Sequence, residues 1–255
     1  MGIVNVTPDS FSDGGQFFDA ARAIAHGLDL RDQGADLVDI GGESTRPGAA
    51  PVSAEEELRR VIPVVEALAR QGVAVSIDTM KPPVMRAAIE AGAAVVNDVY
   101  GFRGEGAIEA VARAQVGVVA MHMQGTPGTM QKEPRYGDVV AEVTTFLLER
   151  AHALEQAGVA RGRIALDPGF GFGKTVEHNR QLFHALPQIA AHGYPVLAGV
   201  SRKKMIGDFT GRPAGERAAG SVAAALMAVQ NGASIVRVHD VKETVDAINV
   251  WVALK

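Results

Sequence analysis

Gly72-Val73-Ala74-Val75-Ser76-Ile77-Asp78 is a glycine, a run of small and β-branched residues, and then a carboxylate. Glycine reaches the left-handed backbone angles that end a helix, and a short apolar run of this kind suits a strand buried on both faces. The phrase recurs at Gly34–Asp39, Gly92–Asn97, Gly117–His122, Arg163–Asp167, Tyr194–Gly199 and Gly232–Arg237. An opening strand at Gly2–Val6 makes eight. Ala-rich amphipathic stretches between them predict helices at about 17–33, 53–71, 81–91, 104–115, 137–157, 177–191, 214–231 and 240–253. Ser53 with Glu56 three residues on reads as a capping box. Eight strands alternating with eight helices over 255 residues predict an α/β fold, a (β/α)8 TIM barrel. No linker or low-complexity segment divides the chain, so one domain over 1–255 is expected. An open doubly wound sheet is the alternative arrangement.

Composition narrows the function classes. A formal charge of −4 gives no support to a nucleic-acid partner, which usually shows as a basic excess. The chain has no cysteine, so disulfides and thiolate metal sites are excluded. The longest apolar run, Val222–Val229, is far below the roughly 20 residues of a membrane span. The first basic residue is Arg22, which does not fit a secretory leader. A cytoplasmic protein with no membrane partner is the expectation.

A TIM barrel gathers its chemistry at the C-terminal ends of its strands. Those ends read Asn5, Asp39 with Glu43, Asp78, Asn97, His122, Asp167, Ser201 with Lys203, and Arg237 with His239. Singly, such residues begin turns in many proteins; eight ends of this kind in series describe a polar mouth. Two long loops, Thr7–Gln16 and Gly41–Val52, border it and have the length of lids or binding loops. The stretch Ile164–Lys174, IALDPGFGFGK, carries a carboxylate into three glycines spaced two apart. It is not a Walker loop, because Pro168 stands five positions before Gly173. It is not a dinucleotide fingerprint either, because Lys174 occupies the place of the third glycine. Phe170 and Phe172 are candidates for flat walls beside a ring. Asp78, Asn97 and Asp167 suit a planar ring with paired N–H donors, such as an aminopyrimidinone edge. Lys203, Arg237 and Arg46 suit a phosphate group, so the mouth matches a phosphorylated, pterin-like substrate.

The motifs in series resemble those of the dihydropteroate synthase family over essentially the full length. They are Gly2–Gly15 (GIVNVTPDSFSDGG), Asp39–Gly48 (DIGGESTRPG), Ser76–Thr79, Val96–Asp98, Met121–Gly125, Asp167–Phe172, Gly199–Lys203 and Arg237–Asp240. The resemblance implies condensation of 6-hydroxymethyl-7,8-dihydropterin pyrophosphate with 4-aminobenzoate, giving 7,8-dihydropteroate and pyrophosphate. It implies that Asp78, Asn97, Asp167 and Lys203 hold the pterin, with Met121 and Gly199 beside it. Asn5, Arg46, Arg237 and His239 would hold the pyrophosphate, with Mg2+ at Asn5. Thr45, Pro47, Phe172 and Ser201 would form the aminobenzoate side. Asp78, Asp167, Lys203 and Arg237 would carry catalysis by stabilising separating charge. A homodimer through the last helices, Ala214–Asn231 and Val241–Leu254, is also implied. The pterin-binding barrel of a corrinoid methyltransferase would share the carboxylate floor but has no use for the cationic side. A non-catalytic pterin-binding homologue is the other reading.

Overall fold

The computed structural model describes residues 1–6, 16–45 and 48–255. Among the described residues eight strands appear in the expected order: β1 (Gly2–Asn5), β2 (Val38–Gly41), β3 (Val75–Asp78), β4 (Val95–Asp98), β5 (Gly117–Met121), β6 (Ile164–Asp167), β7 (Leu197–Ala198) and β8 (Ile235–Val236). Neighbours pair in parallel from β1 to β6, and β7 pairs with β8. Two seams close the ring. Leu166 N donates to Pro195 O at 2.9 Å, and Leu166 bridges Val196, joining β6 to β7. Val238 N donates to Met1 O at 2.9 Å, and the Met1 amino group donates to Val236 O at 3.0 Å, joining β8 to β1. The closed ring is a TIM barrel, and the open-sheet alternative falls.

Alternation along the strands explains how one end becomes a site. Residues two apart face the same side of a sheet. Val95, Val119, Ala165, Leu197 and Ile235 form one apolar cluster with Met1, separate from the main core between strands and helices. Two residues beyond four of these lie Asn97, Met121, Asp167 and Arg237. The interior is therefore plugged with apolar side chains below and is polar above. Register puts Asn5, Gly41, Asp78 and Asn97 at one level, each paired with the next.

The surrounding helices are α1 (Gln16–Asp32), α2 (Ala54–Arg70), α3 (Pro82–Glu90), α4 (Ala107–Ala112), α5 (Val139–Gln156), α6 (Val176–His184), α7 (Leu186–Ala190), α8 (Lys204–Thr210), α9 (Ala218–Gln230) and α10 (Val241–Ala253). Four departures from the sequence reading have local causes. The helix expected at 177–191 splits at Ala185, since Pro187 stands in the first turn of α7 and has no N–H to continue the ladder. The helix expected at 214–231 begins at Ala218, after a single 3-10 turn at Ala214–Glu216. Helix α8 is an addition. At Ser53 only the cap itself forms: its Oγ accepts from Glu56 N at 3.2 Å, while the Glu56 carboxylate is taken by Arg59 and Arg60. The reciprocal box lies instead at Thr175 and His178, opening α6. Left-handed glycines precede β2, β3, β4 and β8 at Gly34, Gly72, Gly92 and Gly232, but Gly117 is simply the first residue of β5.

Candidate active site

One buried network spans the mouth from β2 to β8. Arg237 donates from Nε to Asp39 Oδ2 at 2.6 Å and from Nη2 to Asp78 Oδ2 at 2.9 Å. Asn97 Nδ2 donates to the same Asp39 oxygen at 3.2 Å. One guanidinium thus bridges two carboxylates, and the amide of β4 is oriented by the first of them. Asn97 Oδ1 and Asp39 Oδ1 are buried with no hydrogen-bond partner among the described residues. An orphaned buried acceptor is costly, so Asn97 Oδ1 marks a position suited to a donor on a ligand. Burial pushes the Asp78 carboxyl up to about 7, with Arg237 pulling the other way.

The second half of the mouth is built by the loops after β6 and β7. Asp167, at the end of β6, accepts from Gly169 N at 2.7 Å through Oδ1. Burial raises its pKa, and Lys203, the Gly169 amide and Lys174 oppose the rise. Gly169 has φ of +69°, and a Cβ there would overlap the His122 carbonyl oxygen, so only glycine lets the two loops meet. Lys203 donates to Phe170 O and stands 4.6 Å from the centre of the Phe172 ring. Its pKa is lowered to about 8, chiefly by burial, with Asp167 raising it. Gly199 joins the two halves: a side chain there would lie 3.9 Å from both Arg237 Cβ and Lys203 Nζ. Ser201 Oγ and His239 Nδ1 are 3.0 Å apart, and His239 N donates to the same oxygen at 3.1 Å.

The loop between β7 and α8 keeps its shape through α9 and α10. Arg202, with φ of +56°, donates its amide to Ser221 Oγ at 2.8 Å and pairs with Asp240. Arg217 donates to the carbonyls of Arg202 and Lys203 at 3.0 and 3.3 Å. These contacts place the Lys203 backbone.

The expected residues divide as follows. Asn5, Asp78, Asn97, Met121, Asp167, Phe172, Gly199, Ser201, Lys203, Arg237 and His239 all lie at this end of the barrel. Thr45 is partly buried in the loop after β2, while Arg46, Pro47 and the loop of 7–15 lie outside the described residues. Met121 packs with Val99, Met123 and Met130, and Phe172 lies against them. Phe170 is not a wall for a ring: it is fully buried in the main core, 5.8 Å from Phe183. His122 and Glu43 are committed elsewhere. His122 Nδ1 is 2.9 Å from Lys174 Nζ, and burial lowers its pKa to about 3. Glu43 accepts from Lys81 at 2.6 Å and from Val52 N at 2.9 Å, pinning both ends of the described part of its loop. Lys81 also meets the buried Glu57. Lys174, Glu57 and Asp98 were not legible as buried groups, nor Lys81 as the half-buried partner of Glu57, because nothing in the spacing separates them from exposed charges.

The sequence profile of the family described as pterin binding enzyme matches residues 1–239. Dihydropteroate synthase of Neisseria meningitidis serogroup C is 54% identical over 259 residues, covering 100% of this chain and 92% of its own. The chain belongs to the dihydropteroate synthase family. Two solved structures of the family, both of the Xanthomonas albilineans enzyme, match 100% of this chain and 92% of their own. One, with 4-aminobenzoic acid, has a TM-score of 0.94 at 57% identity; the other, in complex with 7,8-dihydropteroate, has 0.91 at 55%. Dihydropteroate synthases are transferases.

Proposed function

We infer that the mouth of this barrel condenses 6-hydroxymethyl-7,8-dihydropterin pyrophosphate with 4-aminobenzoate to 7,8-dihydropteroate and pyrophosphate. The observation that carries it is the juxtaposition of a buried acceptor wall, Asp167 and Asn97 Oδ1, with the lysine Lys203. A planar ring offering paired N–H groups is satisfied by a carboxylate in one plane. Phe172 and Met121 cover its face. Arg237 uses two of its five donors on Asp39 and Asp78, which leaves N–H groups for a diphosphate oxygen. With His239, Asn5 and Arg46, it makes the anion side; Thr45, Pro47 and Ser201, with Phe172, make the aminobenzoate side.

In the reaction the arylamine nitrogen attacks the exocyclic methylene carbon as the C–O bond to diphosphate breaks. The diphosphate leaves with the bonding pair, and the amine sheds one proton. Charge separates as the bond breaks, so fixed charges aimed at both fragments lower the barrier. Asp78 and Asp167 face the cationic pterin fragment; Lys203 and Arg237 face the departing anion. Asn5, partly buried at the end of β1, supplies a neutral oxygen that suits Mg2+, a hard cation. Among the described residues no group of three or more His, Cys, Asp or Glu could hold a metal. Asn5 is the residue that would hold the Mg2+ on this side of the mouth. When bound the ion would neutralise diphosphate charge.

Purified chain given Mg2+ and both substrates is expected to release pyrophosphate and form dihydropteroate only when both are present. Tight pterin binding without product would identify a non-catalytic homologue instead. Lys203→Ala is expected to lower kcat on the order of 10^2-fold, as for removal of one donor from a charge-stabilising site. In the wild type the Lys203 ammonium is lost as pH rises through about 8, so the rate should fall on that limb. The variant should lack the limb, and an unchanged rate would remove Lys203 from the site.

A homodimer through α9 and α10 belongs to the same proposal. Met227 on α9 and Val250, Val252 and Leu254 toward the chain's end are exposed, as is Phe209 on α8. Sedimentation equilibrium of the wild type and Met227→Glu tests it. No helix is long and apolar enough to cross a membrane among the described residues, and a single catalytic unit in the cytoplasm completes the reading.

A further inference from the structure

Every carbonyl from Gly169 to Gly173 is met by a side-chain donor. Lys174 Nζ reaches Gly169 O and Phe172 O, both at 3.0 Å. Lys203 takes Phe170 O, Gln131 takes Gly171 O, and the Tyr136 hydroxyl takes Gly173 O at 2.8 Å. Lys174 alone holds two of the five, and it also reaches His122 O at 3.3 Å and His122 Nδ1 at 2.9 Å. Its side chain is almost wholly inside the protein, 4% exposed as a residue. Neither substrate pocket nor diphosphate side uses it.

The acceptor set favours the charged form of Lys174. Three carbonyl oxygens can only accept, and a neutral amine has two hydrogens for them, its lone pair being met only if His122 carries its proton on Nδ1. An ammonium has three hydrogens to share among the four acceptors, and His122 is then neutral with its proton on Nε2. Burial pulls the Lys174 pKa well below its usual value and Lys203 adds to the fall, while Asp167 opposes it. In return Lys174 helps to hold the Asp167 carboxylate ionised, alongside Lys203, the Gly169 amide and Arg237.

We propose that Lys174 is a positioning residue for ring recognition: it pins the loop backbone on both sides of Phe170 and sets its charge beside Asp167 without touching substrate. The proposal rests on the reading that Asp167 takes the paired N–H groups of the pterin. It joins two effects in one side chain. The carbonyl contacts fix where Phe172 and Lys203 sit, and the charge keeps Asp167 an acceptor.

The test is Lys174→Met in the full chain, with titration of dihydropterin pyrophosphate by calorimetry. The dissociation constant is expected to rise on the order of tenfold near neutral pH, with a smaller, pH-independent rise in the KM for 4-aminobenzoate, whose side shares Phe172. The ratio of variant to wild-type Kd should grow as pH falls, because Asp167 without its neighbour takes up a proton at higher pH. A loop that is merely loosened would weaken both substrates alike at every pH, and that result, or an unchanged Kd, would overturn the proposal. If the variant does not fold, 15N-lysine NMR of the wild type decides, with Lys203→Ala separating the two buried lysines. A protonated, exchange-protected Lys174 amine near neutral pH is expected, and a neutral one would overturn the assignment. Asp167→Asn serves as the control: retained pterin affinity there would remove the underlying site reading, whereas lost affinity there with none lost in Lys174→Met would remove only the role of Lys174.

Discussion

Asp167→Asn is expected to lower affinity for dihydropterin pyrophosphate on the order of 10^4-fold, while the unliganded chain stays at least as stable as the wild type. The substitution keeps shape and can keep the bond from Gly169 N to Oδ1, now 2.7 Å. What changes is the second oxygen, which becomes an NH2 group facing ring N–H donors, so an acceptor is replaced by a like donor in a dry site. The stability half follows from the sign of the pKa shift. Asp167 is raised above its ordinary value by burial, so the folded chain holds that proton more tightly than the unfolded one. Its ionised form therefore works against folding as pH rises past the unfolded value, and a neutral Asn removes that term. Calorimetry of pterin binding together with a ligand-free thermal scan at neutral pH measures both halves. Near-wild-type affinity would sink the assignment of Asp167. A large fall in melting temperature would show instead that the carboxylate is a structural strut.

Such opposition between stability and binding is common at functional sites, and it bears on what the sequence could disclose. The repeated glycine, apolar run and polar residue exposed the eight strands, because each strand is buried on both faces and its pattern survives without context. The ring of end residues was equally legible, since alternation puts residues such as Asp78 and Asn97 inward once the strands are placed. Partnership was not. Nothing in Arg237 says that its guanidinium is shared between Asp39 and Asp78, because that contact joins residues 198 and 159 positions apart. Phe170 and Phe172 look alike in the sequence, yet the left-handed glycines around them send one ring into the core and leave the other beside Lys203. Helix α8 was missed for a local reason. Lys204–Thr210 is only seven residues, has no side-chain cap, and contains Gly207. That glycine weakens the helix by about 1 kcal/mol relative to Ala; its place is explained only by Arg217, whose guanidinium a Cβ at Gly207 would strike.

Arg237→Met is the substitution expected to cost most in folding, about 3 kcal/mol or more, since removing one partner of a buried ion pair leaves an uncompensated charge. Here two carboxylates are left. Asp39 is fully buried and loses the donor at 2.6 Å, keeping only Asn97 at 3.2 Å. Asp78 loses the donor at 2.9 Å and the charge that opposes its upward shift to about 7. For a chain of this length the loss corresponds to a melting-temperature decrease of roughly 6–12 °C. The decrease should depend on pH with a definite sign. Without Arg237 the folded-state pKa of Asp78 moves above about 7, still farther above its unfolded value. The folded variant then binds a proton that the wild type releases, and its stability continues to fall with pH where the wild type no longer loses from this group. The deficit should thus be smaller near pH 6 and larger near pH 8.5, by the linkage of about 1.4 kcal/mol per unit of pKa difference. Thermal scans of both proteins across that range check it. A deficit independent of pH would mean that Asp78 does not rely on Arg237. No deficit at all would mean that the bridge of Asp39, Arg237 and Asp78 is held for substrate rather than for the fold.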